Sequence, residues 1–224
     1  EYQCQILSDE EQTFRESDIL FYEGHIAWDR EEPWMEFPDG KRKRVNIFMG
    51  IDPAVSSAGT ADYTVIMPIA IDGDNNRYVL PFVRKRMSPN EVINKIIEYK
   101  KLWKPLRTRT ETSGPQEVYA DVLRTLWGEG GSLVTFKPKD SKSRRYLEGL
   151  EPYFVRHKVF LLKDMQDFKD ELLQFRADGR HNHDDMIHAL YYAMKNIYPP
   201  DQEEEVVKRG TFSTLLKKMS WQVA

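Results

Sequence analysis

The chain has 224 residues, with 33 Lys and Arg against 36 Asp and Glu for a net charge of −3, and its composition is 40% hydrophobic and 31% charged. That balance reads as a soluble globular protein able to bury a sizeable core, and it excludes a generally basic chain, so a nucleic-acid reader would have to concentrate its positive charge locally. No apolar run approaches a membrane-spanning length and no N-terminal signal is visible, while the single cysteine, Cys4, excludes an internal disulfide and fits a reducing, intracellular setting.

The chain begins at Glu1 without Met, as an excised piece of a longer polypeptide would. Residues 1–44 are polar, acidic and aromatic with little periodicity, and read as a linker or clamp packed on the domain after them. Turns are expected at Glu31-Glu32-Pro33-Trp34 and Pro38-Asp39-Gly40, and a basic run, Lys41-Arg42-Lys43-Arg44, precedes the first strand. From Val45 the pattern becomes α/β. Val45–Ile51 and Tyr63–Ile71 are strand runs, Asp72-Gly73-Asp74-Asn75-Asn76 has hairpin chemistry, and Tyr78–Val83 returns as a third strand. Pro68 and Pro81 inside these runs predict bulges or an exposed edge.

Ser88-Pro89-Asn90-Glu91 is a helix start, with a capping Ser, Pro at the first helical position and Glu three residues after the cap. Val92, Ile93, Ile96 and Ile97 extend it to about Trp103. A short strand ends at Glu111, a second helix runs from Gly114 through Leu126, and Val134–Lys137 is a fifth strand. A further helix carries Glu171, Leu172 and Phe175. The last helix has Asn182 as its expected cap, Asp184 and Asp185 in its first turn, and Met186, Leu190, Ala193 and Ile197 on one face. After Pro199-Pro200 come an acidic linker, Asp201–Glu205, and an amphipathic piece, Thr211–Trp221.

This element order, three antiparallel-type strands and then helix-strand-helix-strand, is that of an RNase H-like α/β domain with a mixed sheet of five or more strands flanked by helices. In that topology the first and fourth strands lie side by side, so Asp52 and Glu111 end at the same sheet edge. Asp184 and Asp185 stand at a helix N-terminus, where the dipole favours their ionised forms. Carboxylates gathered without a Cys or His cage suit hard divalent cations, Mg²⁺ or Mn²⁺. Each acid alone has an ordinary explanation as a turn residue, a loop acid or a helix-start signal. The shared sheet edge is what argues against all of these holding at once.

Several motifs resemble one family. Gly50-Ile51-Asp52-Pro53-Ala54, Ala61-Asp62-Tyr63-Thr64, Thr110-Glu111-Thr112-Ser113-Gly114 and His183-Asp184-Asp185-Met186-Ile187-His188-Ala189-Leu190, in that order and spacing, are similar to the nuclease domain of tailed-bacteriophage large terminase subunits. The helix over Lys142–Leu150 with Glu151-Pro152-Tyr153, and the stretch from Phe175 to Gly179, share the likeness, which covers roughly residues 45–198. Residues 1–19 resemble the end of the ATPase domain that precedes such a nuclease, and 199–224 form a C-terminal tail.

The resemblance implies a DNA-packaging motor in the host cytoplasm, absent from the mature virion. Its nuclease cuts concatemeric double-stranded viral DNA with two Mg²⁺ or Mn²⁺ ions and works with a portal, a small terminase subunit and the ATPase domain of its own chain. Asp52 would bridge the ions, Glu111 would hold one and Asp185 the other. Asp184 is then a further ligand or an outer group. Asp62 is expected in the outer shell, as is His188, which stands where the family commonly carries an acid. No phosphate loop Gly-x-x-x-x-Gly-Lys-Ser/Thr occurs, so ATPase activity is expected only outside these residues. Lys137, Lys139, Lys142, Arg144 and Arg145 form the expected DNA-contacting cluster, and Arg84-Lys85-Arg86 a second. Two other readings share these features: a junction resolvase or transposase-type nuclease, and a non-catalytic domain that docks a motor or grips DNA.

Overall fold

Apolar or β-branched residues at every position from Thr64 to Ile71 need both faces of a strand covered. That strand lies in the middle of the sheet in the computed structural model of the chain, which describes residues 13–53, 63–111, 125, 127, 133–137, 142–176 and 184–201. In chain order the strands are β1 (Leu20–Tyr22), β2 (His25–Asp29), β3 (Glu32–Glu36), β4 (Arg42–Asp52), β5 (Thr64–Asp72), β6 (Arg77–Val79), β7 (Val83–Lys85), β8 (Arg107–Glu111), β9 (Leu133–Phe136) and β10 (Val159–Leu162). Helix α1 spans Pro89–Trp103, α2 Lys142–Gly149, α3 Glu151–Val155, α4 Gln166–Gln174 and α5 Asp185–Met194.

Among the described residues the ten strands form one mixed sheet in the order β1-β10-β6-β5-β4-β3-β2, with β7 beside the start of β5 and β8, then β9, beside the end of β4. The expected first and fourth strands are β4 and β8. They pair in parallel, Ile51 opposite Thr110, so Asp52 and Glu111 come next at neighbouring strand ends. The sheet is larger than five strands because the described part of 1–44 is built into it. There β1 pairs with β10, and the β2–β3 hairpin extends the sheet beyond the start of β4. Those strands are only 3–5 residues long, too short for a period of two to stand out. Phe14 and Ile19, just before them, lie in the main core.

The third expected strand is split into β6 and β7, with Pro81 in the gap. Pro68 causes no loss within β5. Its carbonyl accepts the Leu80 N–H at 3.0 Å, and in a strand the nitrogen of a residue points the same way as its carbonyl. The missing N–H therefore faces the gap where β6 gives way to β7. Helix α1 matches its predicted bounds. The Ser88 N–H and Oγ both donate to Glu91, and Lys104 closes the helix in the left-handed region at φ 42°. Of the helix expected from Gly114, only Thr125 and, just past its expected end, Trp127 are described, both helical; the rest lies outside the described residues, as do Asn182 and the piece Thr211–Trp221.

The two faces of β4 have different partners because side chains alternate along a strand. Met49 and Ile51 pack with Ile66 under Val92 and Ile96 of α1. Phe48 joins Val65, Met67 and Ile69 under Met186, Ile187, Ala189, Leu190 and Ala193 of α5. Between Phe48 and Asp52 on that second face stands Gly50. A Cβ at this position would lie 2.0 Å from the Ala189 carbonyl oxygen and 2.5 Å from the Ala193 nitrogen. The helix backbone rests directly on the strand here, and this contact sets the height at which α5 crosses the ends of β4 and β8.

Candidate metal centre

Asp184, just before α5, and His188 and Tyr192 within it stand at four-residue spacing and form a column on the face turned to β4 and β8. Asp184 is the residue that caps the helix and Asp185 is its first helical residue, so the helix starts later than a cap at Asn182 would give. The His188 Nδ1 lies 3.1 Å from Asp52 Oδ2, and its Nε2 lies 3.2 Å from Asp184 Oδ2. One turn on, the Tyr192 hydroxyl donates to Glu111 Oε2. The imidazole is flanked by Tyr146 and Tyr192, with ring centroids 5.4 and 6.2 Å away.

Asp52, Glu111 and Asp184 thus share one neighbourhood. Burial pushes the Asp52 carboxyl above its ordinary value; the His188 contact opposes this, and the charges of Glu111 and Asp184 add to it. A carboxylate that is largely shielded from water, held by one imidazole and faced by like charges is in the state that a bound cation would relieve.

Asp185, the expected first-choice ligand, turns elsewhere. Its Oδ2 is 3.6 Å from Arg84 Nη2, which also lies 3.9 Å from Glu171 Oε2. Within the pair, Asp184 is the one drawn towards Asp52, since successive helical residues point about 100° apart. Among the described residues, no group of three or more His, Cys, Asp or Glu side chains is close enough to enclose a metal ion as it stands. The donors still fit a divalent cation in two respects. They are carboxylate oxygens with one imidazole, and among the described residues the buried Nε2 of His188 makes no hydrogen bond.

Three residues whose part in the site the sequence did not show complete the surroundings. Glu171 of α4 accepts the Met186 and Ile187 N–H groups at 2.8 and 3.1 Å, so a distant carboxylate caps α5. Its burial, with the nearby Asp185 charge, pushes it up to about 7 against the pull of those N–H groups and Arg84. Arg84 ties Glu171 to Asp185, and Tyr192 fixes Glu111. Only a contact between distant elements reveals these roles. The available signal was weak: an acid on the apolar face of one helix, and a Tyr one turn after His188.

The basic candidates that are described come from different elements: Arg84 from β7, Lys137 from just after β9 and Arg144 from α2. Arg84 and Arg86 lie over the Tyr63 ring at 4.3 and 4.7 Å, beside a cleft of about 500 Å³ that Tyr63, Arg84 and Met186 help to line. Lys137 is exposed at the end of β9, and Arg144 is exposed with its Nε 2.8 Å from Glu148. Asp62, Lys139 and the side chains of Lys142 and Arg145 lie outside the described residues.

The sequence profile of the Terminase RNaseH-like domain matches residues 49–196. No curated protein sequence matches significantly. In fold the chain is similar to the large terminase nuclease of thermophilic phage G20c in a crystal structure with magnesium bound, at 19% identity and a TM-score of 0.59 over 84% of this chain and 99% of that one. A further structure of that nuclease gives 17% and 0.58 over 84% and 100%. The large terminase of a second thermophilic bacteriophage gives 12% and 0.51, over 68% of this chain and 40% of that one.

Proposed function

The chain belongs to the terminase RNase H-like domain family, and from that membership we propose that it is a metal-dependent endonuclease that cuts concatemeric double-stranded viral DNA during genome packaging. The observation that carries the reading is that Asp52 and Asp184 stand on the two sides of one buried imidazole, with the Glu111 charge near Asp52 at the end of the adjacent parallel strand. A fold stabilised for its own sake has no reason to gather like charges there. Asp52, Glu111 and Asp184, with Asp185 beside them, would hold a pair of divalent cations, Mg²⁺ or Mn²⁺; the bound magnesium of the G20c nuclease supports this choice. Such a pair supplies activated water and charge neutralisation to phosphodiester hydrolysis.

The protein's own groups prepare the place. Tyr192 fixes one oxygen of Glu111, and the Nδ1 side of His188 orients Asp52. Glu171 anchors the start of α5, so Asp184 is presented from a fixed helix end. Arg84 offers positive charge next to Asp185, where a DNA backbone would run, and Arg86, Lys137 and Arg144 would add sequence-independent phosphate contacts. The same membership supports an ATPase domain in the same polypeptide, a portal and a small terminase subunit as partners, and a site of action in the host cytoplasm. Residues 45–198 are the nuclease domain in this reading, and 199–224 a tail that docks or regulates.

The test is nicking of supercoiled plasmid by the purified chain. Cutting in Mn²⁺ or Mg²⁺, its abolition by EDTA, and retention of less than about a tenth of the rate in Asp52→Asn are expected. Absence of metal-dependent cutting would leave a docking or DNA-gripping domain. Strong preference for four-way junctions over linear duplex would move the chain to the resolvase reading.

A further inference from the structure

Only one nitrogen of the His188 ring is hydrogen-bonded among the described residues. It is 8% exposed, and its plane is fixed between Tyr146 and Tyr192. Both ring nitrogens face a carboxylate oxygen, at 3.1 Å for Nδ1 and 3.2 Å for Nε2. Nδ1 is in hydrogen-bonding geometry with Asp52, whereas Nε2, although close to Asp184 Oδ2, makes no hydrogen bond among the described residues. A buried polar atom left without a hydrogen bond is unfavourable. Placed against a cation, the same pair of atoms is a ligand pair, and an imidazole oriented by a carboxylate on its other nitrogen is the usual way a protein prepares a histidine for a metal.

We propose that His188 Nε2 is itself a metal ligand, shared with Asp184 and aligned by Asp52 through Nδ1, and that this nitrogen makes the site prefer Mn²⁺, Co²⁺ or Zn²⁺ to Mg²⁺. The inference rests on the metal-dependent reading above and names the donor that sets its metal selectivity. Oxygen-only sites suit Mg²⁺, whereas each imidazole added favours the later transition metals. His188 is then a ligand and not simply a helix–sheet packing residue, and the ring stack that holds it keeps the nitrogen in line whether or not DNA is bound.

Pulsed electron paramagnetic resonance on the purified chain with Mn²⁺ alone, without DNA, tests this independently of activity. The expected result is ¹⁴N modulation from a directly bound imidazole in the native protein. It should disappear in His188→Asp and His188→Asn while Mn²⁺ stays bound and thermal melting shows a folded chain. Titration calorimetry should also show the ratio of Mn²⁺ to Mg²⁺ affinity falling about tenfold in His188→Asp. Bound Mn²⁺ with no ¹⁴N coupling in the native protein, a measurement that needs no variant, overturns the proposal and leaves the metal-dependent reading intact. Coupling that persists in His188→Asp assigns the nitrogen to another histidine, such as His181 or His183, and also overturns it. Failure of Mn²⁺ to bind at all would overturn both the proposal and the metal-dependent reading beneath it.

Discussion

Asp72, fully buried, and Asp52, partly buried, are carboxylates at opposite ends of the β4–β5 pair, Asp52 across from Val65 and Asp72 across from Val45. Asp72 accepts hydrogen bonds from Lys43 Nζ, the N–H groups of Asp74 and Asn76, Asn76 Nδ2 and the Tyr78 hydroxyl, each at 2.9 Å. These partners outweigh burial and hold its pKa below the ordinary 3.8. Asp52 has His188 and two like charges, and its pKa is raised. The same residue type, at the two ends of the same strand pair, meets opposite electrostatics. A carboxylate that the fold uses for itself is saturated with donors, whereas one kept for a ligand is left short of them.

The comparison breaks most visibly if the two aspartates respond alike to removal of their charge. Asp52→Asn is expected to lose cleavage by on the order of 10³-fold, since several kcal/mol of charge stabilisation disappear. Its melting temperature should rise by about 2–4 °C, because an unfavourable buried charge is gone. Asp72→Asn should do the reverse, losing about 3 kcal/mol of stability as its donors are stranded while each folded molecule cuts at the native rate. Denaturant melts and plasmid nicking on the two variants separate these outcomes. A lower melting temperature in Asp52→Asn would show that its charge supports the fold.

Gly50→Ala sharpens the geometric half of the comparison. The added methyl would press on the Ala189 carbonyl and Ala193 nitrogen, so α5 must lift and carry Asp184 and His188 from Asp52. A loss of about 2 kcal/mol is expected, with Mn²⁺ affinity by calorimetry falling more than stability alone explains. Tyr192→Phe should be milder: Glu111 loses one donor, Mn²⁺ binding weakens roughly tenfold, and the melting temperature barely moves.

The smallest effect concerns pH. Glu171 stands at about 7 in the fold against an ordinary 4.5, so its contribution is fully present below 4.5 and is lost as pH rises through 7. Glu171→Gln, which keeps an oxygen for the Met186 and Ile187 N–H groups, should therefore gain stability relative to the native chain between those pH values. Asp72 has the opposite sign. Its depressed pKa stabilises above 3.8 and that contribution fades as pH falls further, so Asp72→Asn should flatten the acid limb of the stability curve. Urea melts from about pH 3 to 8 would show both slopes.

Much of the site is legible in the order of residues alone. Asp52 and Glu111 each end an apolar run, and the element order makes those runs parallel neighbours. Asp184 and Asp185 begin the last amphipathic helix, as their place before Met186 and Ile187 suggests. The strands of 1–44 are not legible, because short half-exposed strands leave no period to read. Asp72 reads as simple turn chemistry, and its role as a buried hub depends on Lys43 from another strand.

The class of fold, the two strand-end acids, the bounds of α1 and an acidic pair at a helix start all follow from the order of residues. All of these come from local periodicity, capping chemistry and the order of elements, which are properties of neighbours along the chain. Packing of distant elements is what turns Asp184 towards Asp52 and Asp185 towards Arg84, stands His188 between two carboxylates, and brings Glu171 to cap α5. Each of these depends on the height and rotation of one helix over the sheet. A contact between Gly50 and the Ala189 and Ala193 backbone sets that placement, and rotating α5 by the roughly 100° that separates successive residues would exchange every partner in the site.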